Sequence, residues 1–339
     1  MLTADKVQAR LDSLAKPRGS LGRLEELAIR LAMTQNNLQP KTHPRRLVVF
    51  AADHGVVASG VSAWPSALTG LMVETILRGR AASSALANTH GCDLRLVNVG
   101  TASPPPVFPP DFYAHSPIAP GTKDLSKQPA MSEAEFEAAW MVGADEARRA
   151  VRDGFVVLIA GEMGIGNTTP AACLTMLLAD APLDAAVGRG AGADDQTLER
   201  KRQVASQSVA EAVPLFKSDR RRAIAALGGF EIAAMAGFLA TGAELGATML
   251  LDGYVATAAA LIAQTLAPVS TRSFIASHLS IEPGHSHALA HLGLTPLLEW
   301  QMRLGEGTGA LLALPMLDSA AALLNDVATL SELGVARED

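Results

Sequence analysis

Three glycine-rich loops hold the residues best suited to chemistry in this 339-residue chain. The first is Gly161-Glu162-Met163-Gly164-Ile165-Gly166-Asn167-Thr168-Thr169, directly after an apolar run at residues 155–160. Its glycines let backbone N–H groups approach an anion, and the helix expected to follow offers its N-terminus. The other reading is a tight strand-to-helix turn without a ligand. The second is Gly188-Arg189-Gly190-Ala191-Gly192, before Asp194 and Asp195, which can cap a helix carrying Lys201 and Arg202. A lysine one or two turns into that helix reaches a phosphate, or belongs to a solvated charged face with Glu199 and Arg200. The third, Leu304-Gly305-Glu306-Gly307-Thr308-Gly309, sets a carboxylate between glycines and apolar helices. Such walls raise a carboxyl pKa toward a useful base. A helix-breaking turn with an exposed Glu306 is the competing reading.

Other chemistries find less support. The spacing is neither a Walker A loop nor the dinucleotide fingerprint, which argues against an NAD-linked dehydrogenase. No Gly-x-Ser-x-Gly elbow is present, so covalent catalysis is disfavoured. His285, His287 and His291 match no zinc spacing and read as polar histidines on a loop entering a helix, so no metal site is assigned. Asp53-His54-Gly55 follows a strand and either lines the site or makes a turn.

The elements that position these loops follow from patterning. Apolar, β-branched runs predict strands at residues 47–52, 94–100, 155–160 and 247–251, with a fifth at 273–276. Helices are expected over residues 1–40, over 67–90 and after the Ser132 to Glu135 capping box. The tail from about Leu294 reads as helical, broken at Gly305-Glu306-Gly307. Strands alternating with helices imply crossover units and a mostly parallel sheet, with ligands outside the carboxyl ends of its strands. The Pro-rich stretch 103–129 is too long for an ordinary connection and reads as a lid, an excursion or a subunit contact.

Composition narrows the class. The net charge of -6 and the lack of a basic stripe argue against nucleic acid as a partner. Cys92 and Cys173 read as reduced thiols. With no leader pattern at the N-terminus, the expectation is a cytoplasmic protein. The charge-free stretch 253–271 reads as a buried or subunit-contact helix, with no membrane span.

Taken together and in order, the motifs resemble one family. They are Lys16-Pro17-Arg18-Gly19-Ser20-Leu21-Gly22, Asp53-His54-Gly55-Val56, Gly60 to Pro65, Gly161 to Thr169, Gly188-Arg189-Gly190, Lys201-Arg202, Leu227 to Glu231, Leu251-Asp252-Gly253 and Arg303 to Gly307. The family is nicotinate-nucleotide:dimethylbenzimidazole phosphoribosyltransferase, of the lower-ligand branch of cobalamin assembly. The resemblance implies an α/β fold with a Rossmann-like, mostly parallel sheet flanked by helices. A small helical domain is built from both termini, with residues 1–40 and 296–339 around a large domain at 41–295. It also implies a homodimer, whose active site takes in the neighbouring subunit's small domain, and no cofactor. Glu306 would be the proton acceptor and Glu162 would lie by the reacting groups. Gly164, Asn167, Thr168, Gly190 and Lys201 would hold the nucleotide's phosphate and ribose. Asp53, Ser62, Leu71, Met163 and Leu304 would form the base pocket. Leu71 stands where many relatives have Gln, which implies that the base is read more by shape than by hydrogen bonds. A non-catalytic nucleotide-binding protein on the same fold is the alternative; it would need the phosphate loops and not Glu306.

Overall fold

Buried on both faces, apolar strands pair in parallel only when helices cover both sides. The computed structural model, which describes residues 2–334, is built this way. Its main sheet contains β1 (Arg45–Ala52), β2 (Asp93–Gly100), β3 (Tyr113–His115), β4 (Val157–Met163), β5 (Thr248–Leu251) and β6 (Phe274–Ala276). The order is β3-β2-β1-β4-β5-β6, and every neighbour is parallel. This is the doubly wound arrangement, whose crevice opens where the order reverses, between β1 and β4.

Side-chain alternation along the strands divides the core. Val48, Phe50, Leu158 and Ala160 face one layer of helices, and Leu47, Val49, Val157 and Ile159 the other. The first layer includes α5 (Glu133–Arg152), α6 (Thr168–Ala179), α7 (Leu183–Ala186), α8 (Asp195–Ser218), α9 (Arg220–Leu227), α10 (Phe230–Glu244), α11 (Tyr254–Leu266) and α12 (Gly284–His291). The second contains α1 (Ala4–Ser13), α2 (Arg23–Thr34), α3 (Ala67–Leu77), α4 (Ala82–Thr89) and α13 (Thr308–Asp326). The terminal helices α1, α2 and α13 pack on one another, and their apolar residues join one cluster with the sheet face. The expected C-terminal segment extends past Gly334, so its last five residues lie outside the described range.

Four differences from the sequence expectation have physical causes. The single helix over 67–90 is two, α3 and α4, because Gly79 turns left-handed at φ +68°. β4 continues through Glu162 to Met163, because β1 supplies hydrogen-bonding partners as far as Ala51↔Met163. The Pro-rich stretch carries β3, paired with β2 at Leu96↔Tyr113. The tail is not all helix: residues 298–302 form β8 (Leu298–Met302), parallel to β7 (His278–Ser280). Leu298 N–H donates to Ser277 O at 3.0 Å and Ile281 N–H to Met302 O at 3.1 Å, so a strand edge distant in sequence outweighs local helical patterning.

The capping box forms as expected: Glu135 N–H donates to Ser132 Oγ at 3.2 Å, and Ser132 N–H to Glu135 Oε2 at 2.7 Å. The charge-free stretch becomes α11, buried from Tyr254 to Ala263. Among the described residues one helix, α13, is long and apolar enough to cross a membrane; its Leu311, Leu314 and Leu317 lie in the core.

Helices α5 and α10 meet backbone to backbone. A Cβ at Gly143 would strike the Ala234 carbonyl, and one at Gly237 the Trp140 carbonyl. Gly143→Ala is therefore expected to lower stability by about 1–3 kcal/mol through overpacking. Thermal unfolding should show a reduced Tm; an unchanged Tm would refute the close approach.

Candidate active site

A cleft at the carboxyl ends of β4 and β5 is walled by all three glycine-rich loops. Its lining includes Ser62, Glu162, Met163, Gly164, Asn167, Thr168, Gly190, Lys201 and Leu304. Nine of the twelve residues expected in the site therefore meet there. Asp53, Leu71 and Glu306 do not line it.

One end is built for an anion. Lys201 reaches in from α8 and is almost wholly buried; its Nζ donates to Thr168 Oγ1 at 2.9 Å and Gly188 O at 2.8 Å. An ammonium has three donors, so one N–H is left for a ligand. Burial pushes the Lys201 pKa below the usual lysine range, and the Glu282 charge acts against that shift. Gly190 turns left-handed at φ +54°, and its N–H donates to Glu282 Oε1 at 2.8 Å. Glu282 Oε2 has no hydrogen-bond partner among the described residues and can accept from a bound hydroxyl. Arg303 Nη1 donates to Gly190 O at 2.9 Å, and Trp64 Nε1 to Ala191 O at 3.2 Å. Asp194 caps α8, accepting from Thr197 N–H at 2.8 Å.

The other end is acidic. Glu162 sits near the end of β4, and Asn167 Nδ2 donates to its Oε2. Burial, then the nearby Glu231 charge, pushes the Glu162 pKa well above the carboxylate range; Asp252 and Glu306 add to this and the Asn167 hydrogen bond opposes it.

Glu306 lies immediately behind the cleft wall, buried to 1% exposure. It follows Gly305, a wall residue whose Cβ position would be occupied by Glu162 Oε1. Gly305, Glu306 and Gly307 are all left-handed, at φ +90°, +57° and +80°. A non-glycine residue there carries strain of about 1 kcal/mol. Asp252 holds the loop: its Oδ2 accepts from Gly307 N–H at 3.0 Å, and its Oδ1 from Gly309 and Ala310 N–H at 2.8 and 3.1 Å. It thus caps α13 from a distant strand end. Burial raises the Glu306 pKa, Ser83 opposes the rise with its hydroxyl and backbone amide, and Asp252 supports it.

The other expected residues have structural partners. Asp53 Oδ2 accepts from Ala102 N–H at 2.8 Å, which anchors the start of the Pro-rich excursion. His54 Nε2 pairs with Glu231 Oε1 at 2.6 Å, fully buried beside Gly164. Leu71 is 58% exposed on α3, the helix that also carries Thr69, whose hydroxyl accepts from Ile165 N–H at 3.1 Å. The histidine reading needs correction for His285, which is wholly buried. Its Nδ1 accepts from Ser280 N–H at 2.8 Å and its Nε2 meets Thr257 Oγ1 at 2.9 Å. Burial and the neighbouring His278 push its pKa down to about 3, so the ring is neutral.

Sequence reasoning missed Ser83, Glu282 and His278 altogether. It noted Asp252 and Glu231 within motifs but gave them no role. Asp252 carried one usable signal: an acidic residue at a strand's carboxyl end, before glycine.

A family model described as "Phosphoribosyltransferase" matches residues 2–335. The nicotinate-nucleotide–dimethylbenzimidazole phosphoribosyltransferase of Thermus thermophilus is 44% identical over 332 residues, covering 98% of each chain. The enzyme of the same name from Ralstonia nicotianae is 44% identical, over 99% of this chain and 94% of that protein. The crystal structure of CobT from Thermus thermophilus superposes with a TM-score of 0.94 at 43% identity, over 99% of both chains. A sequence match over nearly the full length and the matching fold agree: the chain belongs to the nicotinate-nucleotide–dimethylbenzimidazole phosphoribosyltransferase family.

Proposed function

We propose that this chain transfers ribose 5-phosphate from nicotinate mononucleotide to a benzimidazole, with 5,6-dimethylbenzimidazole as the acceptor that its relatives' names point to. The products are nicotinate and α-ribazole 5′-phosphate, for the nucleotide loop of cobalamin. The observation that carries this reading is a cleft with a buried cation and a glycine-rich loop at one end and a buried, pKa-raised carboxyl pair at the other.

In the proposed reaction, one base nitrogen attacks ribose C1′ as the bond from C1′ to the pyridinium nitrogen breaks. The bonding pair leaves with nicotinate. The other base nitrogen gives its proton to Glu306, whose raised pKa makes it a stronger base than an exposed carboxylate. Glu162 favours positive ribosyl character in the transition state. Gly164, Asn167, Thr168, Gly190 and Lys201 hold phosphate and ribose, so base and nucleotide meet in a fixed geometry. Ser62, Met163 and Leu304 form the base pocket within the cleft. Asp53 supports it from behind, and Leu71 contributes shape from α3. Nothing in this chemistry calls for a cofactor.

The exposed apolar side chains Trp64, Leu71 and Leu304 support a homodimer, with the neighbour's small domain closing the site. That small domain comprises residues 1–40 and 296–339, and the protein works in the cytoplasm. Light scattering should give twice the chain mass, and a single-chain mass would refute the dimer.

The function is tested by mixing the protein with nicotinate mononucleotide and 5,6-dimethylbenzimidazole and following both products by chromatography. Both should form, and Glu306→Gln should lower turnover by about two to four orders of magnitude while nucleotide binding survives. Near-normal turnover in that variant would remove Glu306 from its role. Lys201→Ala should weaken nucleotide binding more than base binding in calorimetry, and equal losses would remove Lys201 from the phosphate end.

A further inference from the structure

Glu306, behind the cleft wall, has one of its carboxylate oxygens already engaged. Ser83, fully buried in the first turn of α4, donates its hydroxyl to Glu306 Oε2 at 2.7 Å. Helix α4 has no capping side chain of its own: its N-cap is Ala81. The contact spans 223 residues and joins α4 to the loop before α13. Both partners are rigidly held, Ser83 by its helix and Glu306 by the hydrogen bonds from Gly307, Gly309 and Ala310 to Asp252.

We propose that Ser83 is a positioning residue for the transfer: it pins Glu306 Oε2 so that Oε1 is the oxygen left to receive the acceptor's proton. This inference rests on the proposed role of Glu306. Two effects on Glu306 oppose each other. Burial and the Asp252 carboxylate beyond β5 favour the neutral acid, and the Glu162 carboxyl on β4 is a further acidic neighbour. His278 on β7 lies against Gly309, and the Arg303 guanidinium on the same loop is engaged by Gly190 O. Of the groups around Glu306, Ser83 is the donor that hydrogen-bonds its side chain. A donor favours the charged form, and a carboxylate kept wholly protonated could not take a proton.

Removing the donor raises the Glu306 pKa, so the acid limb of kcat/KM for the base moves to higher pH. For Ser83→Ala, kcat/KM on the acid side should fall roughly tenfold, as expected for a lost hydrogen bond to a charged group, and approach wild type at high pH. KM for nicotinate mononucleotide should be unchanged, and Ser83→Thr should restore the profile. Should Ser83→Ala fail to fold, Ser83→Cys keeps the size with a weaker donor and should shift the limb the same way. Superimposable wild-type and Ser83→Ala profiles, with Glu306→Gln inactive, would overturn the role of Ser83 alone. An active Glu306→Gln would instead overturn the reading on which it rests.

Discussion

The Asp252 carboxylate accepts three backbone N–H groups at the start of α13. Those amides are orphan donors that a helix cannot satisfy internally, and Gly307, at the capping position, has no side chain to do it. Asp252 stands at the carboxyl end of β5, so the sheet itself fixes where the helix begins. The left-handed Gly305-Glu306-Gly307 turn is then held between two fixed points. Glu306 keeps an uncommon backbone conformation because its surroundings over-determine it. The depth of Glu306 and its meeting with Ser83 depend on that anchor.

The cleft is polarised along its length. At the acidic end the charges of Glu231, Asp252 and Glu306 add to burial in raising the pKa of Glu162, and Asp252 does the same to Glu306. At the other end the Glu282 charge favours the cationic form of Lys201 against the effect of burial. An anionic phosphate is attracted to one end and repelled from the other, which sets the nucleotide's direction before any base contact forms.

The sequence is most legible where chemistry and local pattern coincide. Glu162, Asn167 and Thr168 lie at or just after the end of β4, Gly190 lies in a glycine-rich loop and Lys201 in the helix that follows it, and a glycine-rich loop after an apolar run needs no distant information. Gly161 misleads at the strand boundary: it reads as the start of a loop, yet it lies inside β4, because the backbone of Glu306 and Gly307 presses on it and leaves no room for a side chain. Residues 298–302 read as helix in isolation because their partner edge, β7, is formed by residues some twenty positions earlier. Ser83 cannot be singled out by pattern, since a serine in an Ala-rich helix differs from its neighbour Ser84 only in what the fold brings to it. Asp53 reads as a wall of the pocket; its partner, the amide of Ala102, is a backbone group that no pattern marks.

Arg303 has a consequence for how ligands sense one another. Its guanidinium holds the carbonyl of Gly190 in the phosphate loop, and its own backbone leads within three residues to Glu306. The two ends of the cleft are thus joined by this side chain as well as by the segment that runs from Glu162 on β4 to Thr168. A phosphate that shifted Gly190 would therefore pull on the strand that feeds the acid loop. Linkage then requires the reverse as well: a base seated against the acid loop changes the nucleotide's affinity by the same factor.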